Sequence, residues 1–92
     1  GEMITKPLIF SGDQLEINFS TSAAGSLRVE LQDENGKPIP GFMLEDCPAI
    51  YGDAIEQTVE WNSNADLSKL AGKPVRMRIV LRDADLYSFQ FR

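Results

Sequence analysis

The sequence predicts an all-β domain, and three observations carry that expectation: apolar residues that alternate with polar ones over several segments, turn chemistry between those segments, and almost no helical periodicity. Alternation with a period of two marks a strand that buries one face. From Gln14 to Ser20, Leu15, Ile17 and Phe19 point one way while Glu16 and Asn18 point the other. Ser26 to Asp33 repeats the pattern, with Leu27, Val29 and Leu31 against Arg28, Glu30 and Gln32. Val75 to Asp83 places Val75, Met77, Ile79 and Leu81 inward and Arg76, Arg78 and Arg82 outward. In the final segment Tyr87, Phe89 and Phe91 alternate with Ser88 and Gln90, which assigns the three rings to the core.

Weaker strands fit around these. Gln57 to Trp61 alternates, Leu8 to Phe10 is a short apolar opening, and Phe42 to Asp46 reads as an edge strand hemmed by Pro38, Pro40 and Pro48. Asp33-Glu34-Asn35-Gly36 is a hairpin signal, and Ser20 to Gly25 reads as a small polar loop joining two strands. The one helical hint lies at Ser63 to Leu70, where Asp66 caps a single turn carrying Leu67 and Leu70 and Gly72 stops it. About six to eight short strands with one apolar face each predict two antiparallel sheets packed as a β-sandwich, of jelly-roll or immunoglobulin-like order.

The 92 residues make one domain, with residues 1–6 expected as a tag remnant or flexible lead-in. A 10.2 kDa chain has roughly 5,300 Å² of surface when folded, enough burial for one modest core without a metal or disulfide. The net charge of −5 argues against nucleic acid, whose backbone is held by Lys and Arg. No apolar run approaches the roughly 20 residues that a membrane-spanning helix needs.

The chain has no histidine, which removes the usual Ser-His-Asp and Cys-His arrangements and the commonest metal ligand. Cys47 is the single cysteine and lies beside Asp46, so it forms no internal disulfide and is expected as a structural thiol. No catalytic residue is assigned, and the chain is expected not to be an enzyme. Tyr51, beside Gly52-Asp53, is the aromatic expected at the surface, and with Asp46 and Asp53 it forms the candidate carbohydrate-binding set. The same turn-rich acidic stretch has the oxygen chemistry of a calcium site but matches no spaced loop signature, so no cofactor is assigned beyond that candidate calcium. Arg76, Arg78 and Arg82 form an outward stripe. It reads either as cross-strand pairing with Glu16, Glu30 or Glu60, or as a docking face for a partner domain or for acidic sugar groups.

The run Leu27-Arg28-Val29-Glu30-Leu31-Gln32-Asp33, followed by Asn35-Gly36-Lys37-Pro38-Ile39-Pro40-Gly41-Phe42, then Val59-Glu60-Trp61 and Leu70-Ala71-Gly72-Lys73-Pro74-Val75-Arg76-Met77-Arg78, resembles a known unit. It is similar to the small carboxy-terminal β-sandwich appended to secreted bacterial β-propeller proteins of the glycoside hydrolase family 32 and 43 type. The resemblance runs from about Gly12 onward, through Asp83-Ala84-Asp85-Leu86-Tyr87-Ser88-Phe89-Gln90-Phe91. It implies a secreted or periplasmic, non-catalytic accessory module that packs against or orients the propeller catalytic domain of its parent chain. The alternatives it leaves open are a carbohydrate-binding module that recognises a polysaccharide and a calcium-stabilised structural or adhesive module.

Overall fold

The structure, a computed structural model, describes residues 1–92 apart from the side chain of Ile55. Four strands form: β1 (Glu2–Ile4), β2 (Leu15–Asp33), β3 (Asp53–Thr58) and β4 (Val75–Phe91). Hydrogen bonding joins them into one antiparallel sheet in the order β1-β4-β2-β3. Two 3₁₀ turns, Leu44–Asp46 and Leu67–Leu70, fill the connections. The accessible surface is 5426 Å², close to that expected from mass.

The number of strands differs from the expected six to eight, and the reason is local. The segments 14–20 and 26–33 are one strand of 19 residues, and 75–83 and 87–91 are one strand of 17. The expected Ser20–Gly25 loop is an interruption inside β2, where the register passes from Thr21↔Ala84 to Ser26↔Arg82. Three surplus residues on β2 are absorbed there without ending the strand, as a large bulge.

That bulge also bends the sheet. A strand of 19 residues extends about 60 Å when straight, yet the longest dimension of the protein is 35 Å. The β2–β4 ribbon therefore folds over into two arms, with the corner at Thr21–Ser26 opposite Asp83. Asp83 takes a left-handed φ of 46° there. Gly25 is required at the corner, because a Cβ would collide with the carbonyl oxygens of Asp83 and Arg82.

The two arms share one core. Leu15, Ile17 and Phe19 from one arm meet Leu27, Val29, Leu31, Val75, Met77 and Ile79 from the other, all at most 1% exposed. Phe10, buried ahead of β2, stacks on Phe91 with centroids 4.1 Å apart. The expected opening strand at Leu8–Phe10 is reduced to a single bridge from Leu8 to Val75.

Three further expectations change. Residues 2–4 of the expected lead-in pair with Arg78–Val80 as an edge strand. In place of the edge strand expected at Phe42–Asp46, the chain makes the 3₁₀ turn Leu44–Asp46, closed by the Cys47 N–H on the Leu44 carbonyl at 3.1 Å. Gln57–Trp61 is strand only up to Thr58, and the chain then turns so that Val59 is buried and Trp61 half-buried. The capped turn at Asp66 forms as the sequence indicates, with the Asp66 carboxylate accepting from the Ser68 N–H at 3.0 Å.

The largest departure concerns the final segment. Phe91 packs on the core, but Tyr87 is 64% exposed and Phe89 37% exposed. Asn18 pairs with Ser88 and Phe19 with Leu86, so Tyr87 is a surplus residue and inward parity passes to Leu86. Phe89 keeps inward parity beside Ile17, but it sits at a sheet edge that no strand covers.

Candidate functional site

Among the described residues, no hydrogen bond joins Tyr51, Asp46 and Asp53 to one another. Tyr51 is 73% exposed, in the turn before β3. Asp46 closes the first 3₁₀ turn, its carboxylate accepting from the Met43 N–H at 3.1 Å and its carbonyl from the Asn62 N–H at 2.7 Å. Asp53 opens β3 opposite Ser20. None of the three lines the surface hollow described below. Among the described residues, no group of three or more Asp, Glu or Cys is placed to hold a metal ion.

The arginine stripe is divided. Glu30 lies directly opposite Arg78 and is buried at 4% exposure. A buried carboxylate demands partners, and Glu30 has three: the Leu44 N–H at 3.2 Å, the Gln32 amide at 3.0 Å and Arg78 at 3.4 Å. Arg78 also reaches Glu2 at 3.2 Å, and Glu2 first, then Glu30, holds the guanidinium above its ordinary pKa. Arg76 donates to the carbonyls of Glu34 and Thr5. Arg82 is exposed. Two of the three stripe residues therefore make contacts within the molecule while staying partly exposed, and those contacts tie the amino-terminal strand to the sheet.

Cys47 is 2% exposed. Burial pushes its thiol pKa up, against smaller lowering effects from the Val29 N–H and Arg28. A thiol held protonated and out of reach is a core group rather than a nucleophile.

A hollow of about 450 Å³ lies elsewhere. One wall is Asp13 and Gln14, whose N–H groups both bond the Arg92 carbonyl at 2.8 and 2.9 Å. The floor is Val59, Trp61 and Leu67. Trp61 is fixed by donating its indole N–H to the Val29 carbonyl at 3.0 Å and by an edge contact with Phe42 at 5.2 Å. Asn64, Ala65 and Asp66 line the hollow from a loop held by the Ser63 hydroxyl on the Gly41 carbonyl at 2.5 Å. Asn64 projects from this loop with a left-handed φ of 59°, a conformation that Asn tolerates better than most residues. Asp66 is held below the ordinary carboxylate pKa chiefly by the Ser68 hydroxyl.

The groove thus sets three carboxylates (Asp13, Glu60 and Asp66) and two amides around a half-buried indole, and no Lys or Arg lines it. The alternation from Gln57 to Trp61 places Trp61 on the same face as Val59, which is the core face. The turn after Thr58 exposes part of the ring, a consequence of loop packing that alternation does not encode.

No family model matches the chain, and neither a curated protein nor a solved structure matches it. The class is therefore defined by the fold and surface alone: an antiparallel β domain with a polar, acid-lined groove.

Proposed function

We propose that the chain is a non-catalytic accessory β-sandwich module of a larger carbohydrate-active protein, and that its groove beside Trp61 receives a neutral saccharide. The observation that carries this reading is the groove's chemistry. Carboxylates and amides placed around an indole match the hydroxyl-rich edges and apolar faces of a sugar ring, and the volume lies in the range of small-ligand sites. Three carboxylates without a base disfavour acidic sugars. The resemblance of the sequence to appended sandwiches supports the parent context, in which the module would hold polysaccharide near a catalytic domain on the same chain.

The test is a binding screen of the isolated chain against neutral and acidic polysaccharides, with and without calcium. Saturable binding to a neutral polymer, lost in Glu60→Ala and Asn64→Ala at unchanged melting temperature, supports the reading. Loss in Tyr51→Ala instead would move the site to the turn before β3. Absence of binding across the panel would leave packing against the parent domain as the function, and a melting temperature raised by calcium would favour the calcium-stabilised module.

A further inference from the structure

The turn that follows β2 is independent of the groove and carries the only Asn-Gly pair of the chain, Asn35-Gly36. Its closure rests on Asp33. The Gly36 N–H bonds the Asp33 carbonyl at 3.0 Å, and the Asp33 carboxylate accepts from the Asn35 N–H at 2.9 Å and the Lys37 N–H at 3.0 Å. The Asp33 N–H donates back to the Lys37 carbonyl at 2.8 Å. Glu34, Asn35 and Gly36 are all exposed, and a Cβ at Gly36 would meet nothing nearer than the Gln32 Oε1 at 3.9 Å. A tip held by solvent-exposed backbone bonds, with no buried side chain of its own, opens locally at little cost.

An asparagine side-chain carbonyl is an electrophile within reach of the amide nitrogen of the next residue, and ring closure between them gives a succinimide. Glycine in second place favours it, because no Cβ shields the nitrogen and the backbone turns freely. The other three asparagines lack that partner. Asn18 lies inside β2 ahead of the buried Phe19, while Asn62 precedes Ser63 and Asn64 precedes Ala65.

We propose that Asn35 is a site of spontaneous modification, converted by water to aspartate and isoaspartate, and that the turn closed by Asp33 sets its rate. The Gly36 nitrogen gives its proton to water and attacks Cγ of Asn35. The N–Cγ bond forms, the Cγ–Nδ2 bond breaks, and ammonia leaves with a proton taken from solvent. A water molecule then opens the ring. Opening at Cγ leaves aspartate in an ordinary backbone, and opening at the main-chain carbonyl leaves isoaspartate, whose backbone runs through Cβ and Cγ and is longer. While the turn is closed the Gly36 N–H is committed to the Asp33 carbonyl, so its nitrogen neither loses the proton nor turns toward Cγ, and reaction proceeds from the opened tip. Either product adds a negative charge beside Asp33 and Glu34 in a chain already at −5. Isoaspartate also lengthens the path from Asp33 to Lys37. That loosens the returning segment, whose Ile39 N–H and Phe42 carbonyl bond Leu31 at 3.0 and 2.9 Å.

The experiment is incubation of the folded chain in mildly alkaline water enriched in heavy oxygen, followed by peptide mapping that separates aspartate from isoaspartate. The chain unfolded in urea serves as the reference. Label should enter at Asn35 ahead of Asn62 and Asn64, in both products, and more slowly than in urea. Asp33→Ala removes the two carboxylate bonds and should raise the rate at Asn35 about fivefold, as for the loss of bonds of ordinary net strength. Rates at Asn62 and Asn64 should stay unchanged, which separates opening of the tip from unfolding. Asp33→Asn keeps an acceptor oxygen and should remain near wild type. Conversion at Asn62 or Asn64 as fast as at Asn35 overturns the proposal, as does an Asn35 that stays intact over the time in which the unfolded chain converts. Equal rates in wild type and Asp33→Ala overturn the part assigned to the turn.

Discussion

The two arms of the β2–β4 ribbon are built from the same two strands and the same alternating pattern, yet they bury it differently. In the arm formed by Ser26–Asp33 and Val75–Arg82, every inward residue from Leu27 to Leu31 and Val75 to Ile79 is at most 1% exposed. In the arm formed by Leu15–Thr21 and Ala84–Phe91, the β2 residues are equally buried, but Tyr87 and Phe89 on β4 are open. The difference lies in what flanks β4. β1 and the Leu8 bridge cover it in the first arm, and among the described residues no strand does so in the second, where the Tyr87 bulge also shifts the parity. Alternation therefore predicts which side of a strand is apolar, and neighbouring strands decide whether that side is sealed.

The comparison breaks first at the corner between the arms. Gly25→Val would drive its side chain into the Asp83 carbonyl, so the arms could not fold onto one core, and a loss of about 4 kcal/mol is expected in urea unfolding. Within the arms, Leu31→Ala empties a fully buried site and should cost about 3 kcal/mol. Arg78→Leu leaves the Glu30 carboxylate buried without its cation and should cost about 2 kcal/mol. Phe89→Ala, the counterpart test in the open arm, should cost about 1 kcal/mol, chiefly its edge contact with Phe91. Equal losses for Leu31→Ala and Phe89→Ala would abolish the distinction between the arms.

The smallest effect concerns Cys47, whose Sγ accepts from the Val29 N–H of the sealed arm at 3.5 Å. Burial raises its pKa, so above about pH 8.5 the unfolded thiol ionises while the folded one keeps its proton. The folded state then binds more protons than the unfolded state, and stability falls as pH rises through that region. Wild type should lose stability relative to Cys47→Ala as pH rises above about 8.5, the ordinary thiol value. A parallel pair of pH curves would show that the thiol is not held neutral by burial.

Much of the fold is legible residue by residue. Leu15, Ile17 and Phe19, Leu27, Val29 and Leu31, and Val75, Met77 and Ile79 declare their buried faces because every second residue is apolar. Asp66 declares its turn through a cap that acts over two residues. At Asp33–Gly36 the turn is also marked locally: the Gly36 N–H bonds the Asp33 carbonyl at 3.0 Å, and Gly36 takes a φ of 86°. The groove was not legible, because its walls come from residues 13–14 and 58–67, brought together only by packing.

The all-β class, the apolar faces, the absence of histidine chemistry and the short-range turns can all be read along the chain. Each depends on interactions between residues a few positions apart. Packing between distant segments made Thr21–Ser26 a bulged corner rather than a loop. It also decided that Tyr87 and Phe89 stand open and that Arg76 and Arg78 turn back into the molecule. Those outcomes depend on which strand lies beside which. A residue's own neighbours in sequence carry no record of register shifts such as those opposite Asp83 and Tyr87, because register is a relation between distant segments.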